Sequence, residues 1–427
     1  EWTIDRQGLH EYLCYQTPMA GRTLFEGVNL LRPGHHQVID LATRSIRQDE
    51  AYWSATPNYQ DIGFDAARDT TREVFEASVK RHLLSDVPVS ATLSSGFDSA
   101  SVTAQASNIL GHGLDAYTGA FGQDGGWYDE TRAAAALVDA TGGKHHITSI
   151  AADDFLTHFD NLIFALDEPR MGMGAFPQYM VARHAAEDFK VILTGHGGDE
   201  LFSGYPVFKL AMPGGWLRAK KAEIPHLAYF TLSRMRRALS PEYGRHMPVL
   251  WDDKTRSQLL GGAAEKPVWH FLQDVQSGSA ENVEAIFQTY LNVYLPGLLV
   301  VEDKLSMAHA IESRTPILDN AMLDLSLSIP QTVKLHQGEL KSLIKSVARD
   351  VLPETYFHQP KRGFPTPLRQ WLRGSLSAVV EDRLCDPDSP LTRIMNTDCL
   401  HQWVDAYQSS WKRHCRPLDE IQSHQIW

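Results

Sequence analysis

A turn rich in small polar residues follows an apolar segment at 87–93 and is the first stretch whose residue types could do chemistry. The turn reads SSGFDS at 94–99, so Asp98 lies among serines and a glycine. Backbone N–H groups of such a turn, together with serine hydroxyls, form an anion site for which phosphate is the natural ligand. The stretch contains neither the Walker pattern GxxxxGK(S/T) nor GxGxxG,. Taken alone, it is also compatible with an ordinary strand-to-helix turn.

A second turn further along the chain repeats this arrangement. The run VILTGHGGDELFSGYP at 191–206 is an apolar segment followed by glycines, beginning with Gly195, and then by the carboxylate of Asp199. At neighbouring strand ends, the two turns would place Asp98 and Asp199 on either side of one polyphosphate. Mg²⁺ binds in proteins through one or two carboxylates together with phosphate oxygens and water. The two turns therefore predict a polyphosphate site that includes Mg²⁺.

The elements around these turns alternate between helix and strand. Apolar patterns predict helices at 64–84, 99–108, 128–141 and 178–188, and strands at 87–93, 116–121 and 190–194,. This alternation is typical of an α/β fold with a parallel sheet and crossover helices. Ligands of such sheets bind at the carboxyl ends of the strands, which is where both turns lie.

The two ends of the chain have different patterns. Residues 1–55 contain short apolar pieces between turn residues, which predict a short β-rich N-terminal segment that closes at Tyr52 and Trp53,. Residues 223–427 contain mainly helical patterns interrupted by proline and glycine,. We therefore expect a helical C-terminal half that covers the sheet.

Composition limits the classes of function. A length of 427 residues predicts two domains, or one large domain with an appendage,. A net charge of −12 disfavours a broad nucleic-acid surface, and no run approaches the roughly 20 apolar residues that span a bilayer,. Four cysteines are scattered without CxxC spacing, which favours a reducing compartment,. We expect a cytoplasmic protein with neither a nucleic-acid nor a membrane partner.

Five segments, in order along the chain, resemble one protein family. The LSSGFDS of 93–99 resembles the pyrophosphate-binding loop of the ATP pyrophosphatases, and TGHGGDELFSGYP resembles the matching segment of the asparagine synthetase B superfamily. Further matches are VEDKLSMAHAIESRTPILD at 301–319, ELKSLIKSVARDVLP at 339–353 and PKRGFPTPLRQWL at 360–372. The resemblance covers most of 60–375 and implies the fold of the adenine nucleotide α-hydrolases, the PP-loop type.

The same resemblance implies a domain organisation. Residues 58–427 are expected to form an asparagine-synthetase-like ATP pyrophosphatase domain. Residues 1–57 resemble the tail of the glutaminase-like (Ntn-type) domain that precedes it in the family. A glutaminase of this class needs an N-terminal cysteine nucleophile, whereas residue 1 is a glutamate and Cys14 lies inside the region that resembles the tail. We expect the chain as given to make no ammonia from glutamine.

The resemblance implies an ATP-dependent amide ligase. A substrate carboxylate is activated as an acyl-adenylate with release of pyrophosphate, and an amine then displaces AMP. ATP and Mg²⁺ are the implied cofactors, with Asp98 and Asp199 as metal ligands. Lys361 matches the family's catalytic lysine, whose ammonium would stabilise charge on the α-phosphate and on the tetrahedral intermediate. The implied ATP and pyrophosphate contacts are Leu93, Ser94, Ser95, Gly96, Asp98, Ser99, Gly195 and Lys341.

Two positions depart from the family pattern. Ser95 replaces the usual second glycine of the loop. His196 occupies the position that resembles the acidic residue of asparagine synthetases and the tyrosine of β-lactam-forming relatives, which takes a proton from the attacking amine. Histidine titrates near neutral pH and is a competent base there, with Glu302 or Asp303 to orient it. The alternative is that His196 only makes hydrogen bonds within the turn.

Several substrates are compatible with this chemistry. We expect a ligase that closes an amide within its own substrate, as a lasso-peptide macrolactam synthetase or a β-lactam synthetase does. The expected partners are a precursor peptide, a leader-peptide-binding or protease protein, and a second copy of the chain in a homodimer. Asparagine synthetase, which joins an amine to aspartate, is the alternative.

Two further alternatives come from other classes of function. One is a tRNA-modifying adenylation enzyme with the same loop, which the acidic charge balance disfavours,. The other is an inactive nucleotide-binding regulator, which the presence of Asp98, Asp199 and Lys361 disfavours.

Overall fold

The architecture comes from a computed structural model. It describes residues 2–19, 21–122, 129–212, 251, 253–262, 282–357 and 366–410. None of the helices in these ranges combines the length and the hydrophobicity that a membrane crossing needs.

Helices and strands alternate through the first half of the chain. The strands are β1 (His35–Asp40), β2 (Ser45–Ala51), β3 (Val89–Thr92), β4 (Ala116–Ala120), β5 (His145–Ser149) and β6 (Val191–Leu193). The helices are α1 (Arg6–Tyr15), α2 (Phe64–His82), α3 (Phe97–Leu110), α4 (Thr131–Thr141), α5 (Ala152–Leu166), α6 (Ala175–Ala185), α7 (Gly198–Leu201) and α8 (Val207–Ala211).

The described part of the second half is mainly helical, as the sequence predicts, and adds the short strand β7 (Glu312–Arg314). A π-helical turn at Tyr290–Tyr294 joins the helix that ends at Thr289 to the helix that begins at Leu295. The helices are α9 (Asp253–Leu260), α10 (Asn282–Thr289), α11 (Leu295–Met307), α12 (Asn320–Ser328), α13 (Gln331–Lys334), α14 (Ser342–Ala348), α15 (Leu368–Arg373), α16 (Ser377–Leu384) and α17 (Thr397–Ser410).

Five strands form the central sheet in the order β5-β4-β3-β6-β7, and every neighbouring pair is parallel. The predicted parallel sheet with crossover helices is therefore confirmed. β3 pairs with β6, with Ala91 opposite Leu193, so the carboxyl ends of these two strands lie side by side. The serine-rich turn after β3 and the glycine-rich turn after β6 consequently leave the sheet next to each other.

The helices beside the sheet pack through small and apolar residues. In α3, Ala100, Ala104 and Ala106 are buried, and their small side chains allow the helix to lie close to the sheet,. Helix α2 is amphipathic, since Phe75 is buried in the main hydrophobic core whereas Arg81 is exposed,. These patterns explain why both helices were predicted from the sequence.

Two hydrophobic clusters join the C-terminal helices to the sheet. The larger one contains Leu193 of β6 and Ile344 of α14. In the second, the ring of Phe176 in α6 makes edge-to-face contacts with Phe155 and Trp371, at centroid distances of 5.2 and 6.4 Å,. The helical half thus packs against the sheet domain through two separate clusters.

The N-terminal segment differs from its prediction. It contains the β1–β2 hairpin, but also α1, whose N-cap Asp5 accepts a hydrogen bond from a first-turn N–H at 2.7 Å. The apolar pattern did not predict this helix because its buried positions include the polar residues His10 and Glu11. The Gln16 carbonyl accepts a hydrogen bond from the Met171 N–H at 2.7 Å, which connects the segment to the sheet domain.

Candidate active site

The serine-rich turn begins where β3 ends and leads directly into α3. Leu93 is buried, and its N–H donates to the Tyr117 carbonyl of β4, which fixes the start of the turn. Within the turn, the Oγ atoms of Ser94 and Ser99 lie 2.9 Å apart, and the Gly96 N–H donates to Ser94 Oγ at 3.0 Å. Hydroxyls and N–H groups therefore line a cavity at the amino end of a 14-residue helix, where an anion is favoured,.

Ser95, which departs from the family pattern, has a hydrogen-bond partner in the structure. Ser95 Oγ donates to Glu130 Oε1 at 2.7 Å, and both residues are buried. Glu130 directly precedes α4 and lies in the cavity wall. The hydroxyl added at this position is thus accepted by a carboxylate, an interaction that no sequence motif indicated.

A glycine allows the two turns to meet. Gly195 follows β6, and a Cβ atom at this position would overlap the backbone at Asp98 and Ser99, at the start of α3. Only a residue without a side chain permits this approach. Gly195 therefore positions the glycine-rich turn against the serine-rich turn, as the prediction of a shared site requires.

The two carboxylates predicted as metal ligands do lie together, and a lysine ammonium bridges them. Lys341 Nζ lies 2.7 Å from Asp199 Oδ1 and also forms an ion pair with Asp98. Burial lowers the pKa of Lys341, but the two carboxylates outweigh this effect and place the pKa above its ordinary value,. The lysine is therefore charged, and the pair of carboxylates is arranged around a cation.

The donor set limits which metal this pair can hold. In the described ranges, no group of three or more His, Cys, Asp or Glu side chains is arranged to hold a metal ion. Two carboxylates beside a phosphate-binding turn suit Mg²⁺, because this ion is usually held by one or two carboxylates together with substrate phosphates. Asp98 and Asp199 thus fit Mg²⁺ if a bound polyphosphate supplies further oxygen ligands.

Both turns open into one cavity of about 340 Å³, a size within the range of small-molecule sites,. The serine-rich turn, Asp98 and Asp199 are part of its lining, and we call this part the charged end. The lining also includes His196 and Glu302 and the apolar residues Met171, Ala175 and Leu298. The cavity therefore combines charged and apolar groups.

His196 lies in this cavity and is held at both ring nitrogens. Its Nδ1 atom is 3.0 Å from Thr194 Oγ1, and its Nε2 atom is 3.3 Å from the side-chain nitrogen of Gln178. With the Gln178 amide in this orientation, its nitrogen donates to Nε2, and the ring proton is assigned to Nδ1,. Nε2 is therefore the atom that can accept a proton from a substrate.

Glu302 is the carboxylate beside His196. Glu302 Oε2 lies 3.7 Å from His196 Nδ1, close enough to stabilise an imidazolium, and Glu302 Oε1 accepts a hydrogen bond from Ser313 Oγ at 2.5 Å,. Asp303, the other residue considered from the sequence, is exposed. The sequence assigned no role to Gln178, Thr194 or Ser313, although Thr194 and Ser313 lie in segments that resemble the family, because each becomes significant only through its position beside the ring or its carboxylate.

Lys361 lies outside the described residues, so its catalytic role stays a prediction. The nearest described residue on its C-terminal side is Thr366, which is buried and donates from Oγ1 to the Met173 carbonyl at 3.1 Å. Met173 belongs to the turn Gly172–Gly174, which precedes α6. Thr366 is therefore held close to the start of the helix that carries Gln178.

Comparisons with known proteins identify similar chains. A family model described as asparagine synthase matches residues 70–427. Asparagine synthetase (glutamine-hydrolyzing) 1 of Bacillus subtilis (strain 168) is 24% identical, over 99% of this chain and 68% of that protein. A putative asparagine synthetase (glutamine-hydrolyzing) of Mycobacterium tuberculosis (strain CDC 1551 / Oshkosh) is 29% identical, over 99% and 67%.

More distant relatives carry a different name. A protein called amidase chry2, from Gibberella zeae, is 22% identical over 84% of this chain and 61% of its own length. The chain spans 67–68% of the length of the two synthetases above.

Proposed function

The chain belongs to the asparagine synthase family, whose members form amide bonds with ATP, and we propose that it adenylates a substrate carboxylate and closes an amide within that same substrate. The observation that carries this proposal is a single cavity with two chemically distinct ends. One end holds Asp98, Asp199 and the serine-rich turn, and the other holds the His196 and Glu302 pair. Activation and amide formation thus have separate groups within reach of one bound substrate.

The first half-reaction belongs to the charged end. A substrate carboxylate oxygen attacks the α-phosphorus of ATP, and pyrophosphate leaves. The serine-rich turn, with the hydroxyls of Ser94 and Ser99, binds the pyrophosphate oxygens, and the Lys341 ammonium stabilises the charge that builds up on them,. Mg²⁺ held by Asp98 and Asp199 would supply further positive charge at this position.

The second half-reaction belongs to the end around His196. The amine nitrogen attacks the acyl carbon, a C–N bond forms, the C–O bond to AMP breaks, and the nitrogen loses one proton. His196 Nε2 accepts that proton, and the Glu302 carboxylate on the Nδ1 side stabilises the imidazolium,. The amine reaches Nε2 at the place where the Gln178 side-chain nitrogen now donates.

Two features favour an amide closed within one substrate. The residue in the position of the proton acceptor is a histidine, where the family resemblance places an acidic residue in asparagine synthetases. The cavity that contains this histidine is also lined by Met171, Ala175 and Leu298, which suit apolar parts of a peptide better than a free amino acid,. We therefore propose a precursor peptide as substrate and lasso-type macrolactam formation as the reaction.

The proposed partners follow from this substrate. A leader-peptide-binding or protease protein would deliver and process the precursor, and a homodimer is the proposed assembly. We place the reaction in the cytoplasm, where ATP is present and the scattered cysteines would stay reduced,. No nucleic-acid or membrane partner is proposed.

The second candidate is an asparagine synthetase. The names of the two synthetase relatives favour it. In this case aspartate is the adenylated carboxylate, and ammonia or another nitrogen donor is the amine. His196 would serve the same role as proton acceptor.

One assay separates the two candidates. Pyrophosphate release is measured from ATP and Mg²⁺ with aspartate and ammonium, and in parallel with any precursor peptide encoded nearby. Asparagine formation would identify the second candidate. No turnover of aspartate, together with loss of one water mass from the peptide, is the result expected for a macrolactam synthetase. If neither aspartate with ammonium nor the peptide leads to pyrophosphate release, both candidates are contradicted.

A further inference from the structure

The ion pairs at the charged end of the cavity involve a lysine from a distant part of the chain. Lys341 directly precedes α14 and lies 243 residues after Asp98. Its ammonium contacts both Asp98 and Asp199, at 2.7 Å from the latter. The position between two carboxylates is the one that a divalent cation would occupy if these carboxylates were its ligands.

The backbone at two positions accommodates the side chain of Lys341. Lys341 has φ of 57°, in the left-handed region that is unfavourable for a residue with a side chain,. A Cβ atom at position 204 would overlap Asp199 Oδ1 and the Cε atom of Lys341, so Gly204 leaves the room that the pair needs. A strained backbone and a close glycine approach both hold the ammonium between the carboxylates.

The charge at this place depends on the lysine. Lys341 is 7% exposed, and the side chains of Asp98 and Asp199 are 16% and 15% exposed. Without the ammonium, two carboxylates would lie close together in a poorly hydrated place, which is unfavourable. With the ammonium present, a divalent cation entering alone would meet a like charge at contact distance.

We propose that Lys341 is a resident cation that holds Asp98 and Asp199 in place while no nucleotide is bound, and that it keeps free divalent cations out of the site. When nucleotide arrives, its phosphate oxygens accept the ammonium, and the two carboxylates become available to the metal that accompanies the nucleotide. Metal and nucleotide therefore bind together. The inference rests on the proposed function in taking a nucleotide polyphosphate as the ligand of this site.

Binding of Mn²⁺ to the nucleotide-free protein tests this proposal. Mn²⁺ is paramagnetic and takes the same oxygen ligands as Mg²⁺, so electron paramagnetic resonance measures its binding directly. Lys341→Met and Lys341→Gln should each bind Mn²⁺ at least about tenfold more tightly than the wild type, because a like charge has been removed. Adding Asp98→Asn to Lys341→Gln should abolish this gain.

Thermal unfolding provides a second readout. Without metal, Lys341→Gln should unfold at a lower temperature than the wild type, and Mn²⁺ alone should restore much of the loss. The unfolding temperature of the wild type should rise only when a non-hydrolysable ATP analogue accompanies the metal. Lys345→Met is the matched control, since Lys345 lies one helical turn further on, pairs with Glu339 and should leave Mn²⁺ binding as in the wild type.

Equal Mn²⁺ affinity of the wild type and both Lys341 variants would overturn the proposal, as would tight Mn²⁺ binding by the nucleotide-free wild type. The second result needs no variant, so it can be obtained even if a substitution prevents folding. Neither readout requires amide formation. A gain of Mn²⁺ binding in the Lys341 variants, combined with a wild type that releases no pyrophosphate with either substrate, would reject the proposed function and support the role of Lys341. Pyrophosphate release by the wild type without any gain of Mn²⁺ binding in the variants would support the proposed function and reject the role of Lys341.

Discussion

The two ends of the cavity are built in different ways. At the charged end, Asp98 and Asp199 lie at the starts of α3 and α7, which follow two neighbouring strands, and the Lys341 ammonium bridges them. At the other end, the imidazole of His196 is placed by single side chains from α6, α11 and the residue after β6. The order of the strands brings the carboxylates together, whereas side chains from two helices surround the imidazole.

This difference indicates which end can change during evolution. The backbone at the carboxylates follows from the order of the strands, whereas the surroundings of His196 change with one substitution in a helix. A fixed activation end beside an adjustable acceptor end is how one fold can serve different amide-forming substrates. Substitutions at the charged end should therefore affect pyrophosphate release, and those near His196 should affect amide formation.

The largest effect is expected at the charged end. Asp98→Asn should lower pyrophosphate release about 10³-fold, because it removes a charge that positions the nucleotide and its metal in a poorly hydrated site. Initial rates of pyrophosphate release measure this. Asp65→Asn, on the exposed start of α2, is the control and should leave the rate unchanged. Wild-type turnover of Asp98→Asn would remove this carboxylate from the active site.

The next effect tests whether the two ends are separable. His196→Ala should leave ATP–pyrophosphate exchange within a few-fold of the wild type and slow amide formation by about 10²-fold or more, since a proton acceptor is lost. His112→Ala, an exposed histidine, serves as the control. If exchange and amide formation fall equally, His196 acts in ATP binding or in the structure of the turn, and the comparison fails.

A smaller effect is expected at Glu302. Glu302→Gln should slow amide formation about tenfold, because the charge that stabilises the imidazolium is removed while the shape of the side chain is kept. Its neighbour Asp303 is exposed, so Asp303→Asn is the matched control and should leave the rate of amide formation unchanged. The ratio of amide formation to exchange is the quantity to measure. Equal effects of the two substitutions would argue against the assignment of Glu302.

The smallest effect is expected at Ser95, which replaces the usual second glycine of the family's loop. Ser95→Ala removes the hydroxyl that donates to Glu130 and should lower the free energy of unfolding by about 1 kcal/mol, with little change in pyrophosphate release,. Urea unfolding measures the difference, with the exposed Ser375→Ala as control. A large loss of pyrophosphate release without loss of stability would mean that Ser95 contacts the nucleotide directly.

The sequence predicted the middle of the sheet better than its edges. The buried strands β3, β4 and β6 carry apolar runs and were predicted close to their observed bounds. β5 and β7 were not predicted, because β7 is the polar tripeptide Glu312–Arg314 and β5 includes two histidines. Edge strands bury only part of their surface, so their hydrophobic pattern is weak. Helix α1 was missed for a related reason, since it buries polar residues.

At the candidate site, contiguous motifs were the predictable part. The serine-rich and glycine-rich turns were identified from residue types alone, and the structure brings Asp98 and Asp199 together as expected. Lys341 and Glu302 entered through a family resemblance, and Gln178 and Ser313 were not foreseen. The roles assigned to these residues, and the division of the chain at residue 57, stay predictions.

Sequence by itself determined what lies within a few residues of each strand end. A strand, a turn of small residues and a helix form from local preferences, so the anion-binding turn and its carboxylate could be read along the chain. Only the tertiary structure decided that β3 and β6 are neighbours and that the ammonium of Lys341 reaches between carboxylates on both turns. Strand order and side-chain reach depend on how the whole core is buried at once, and no short stretch of sequence carries that information.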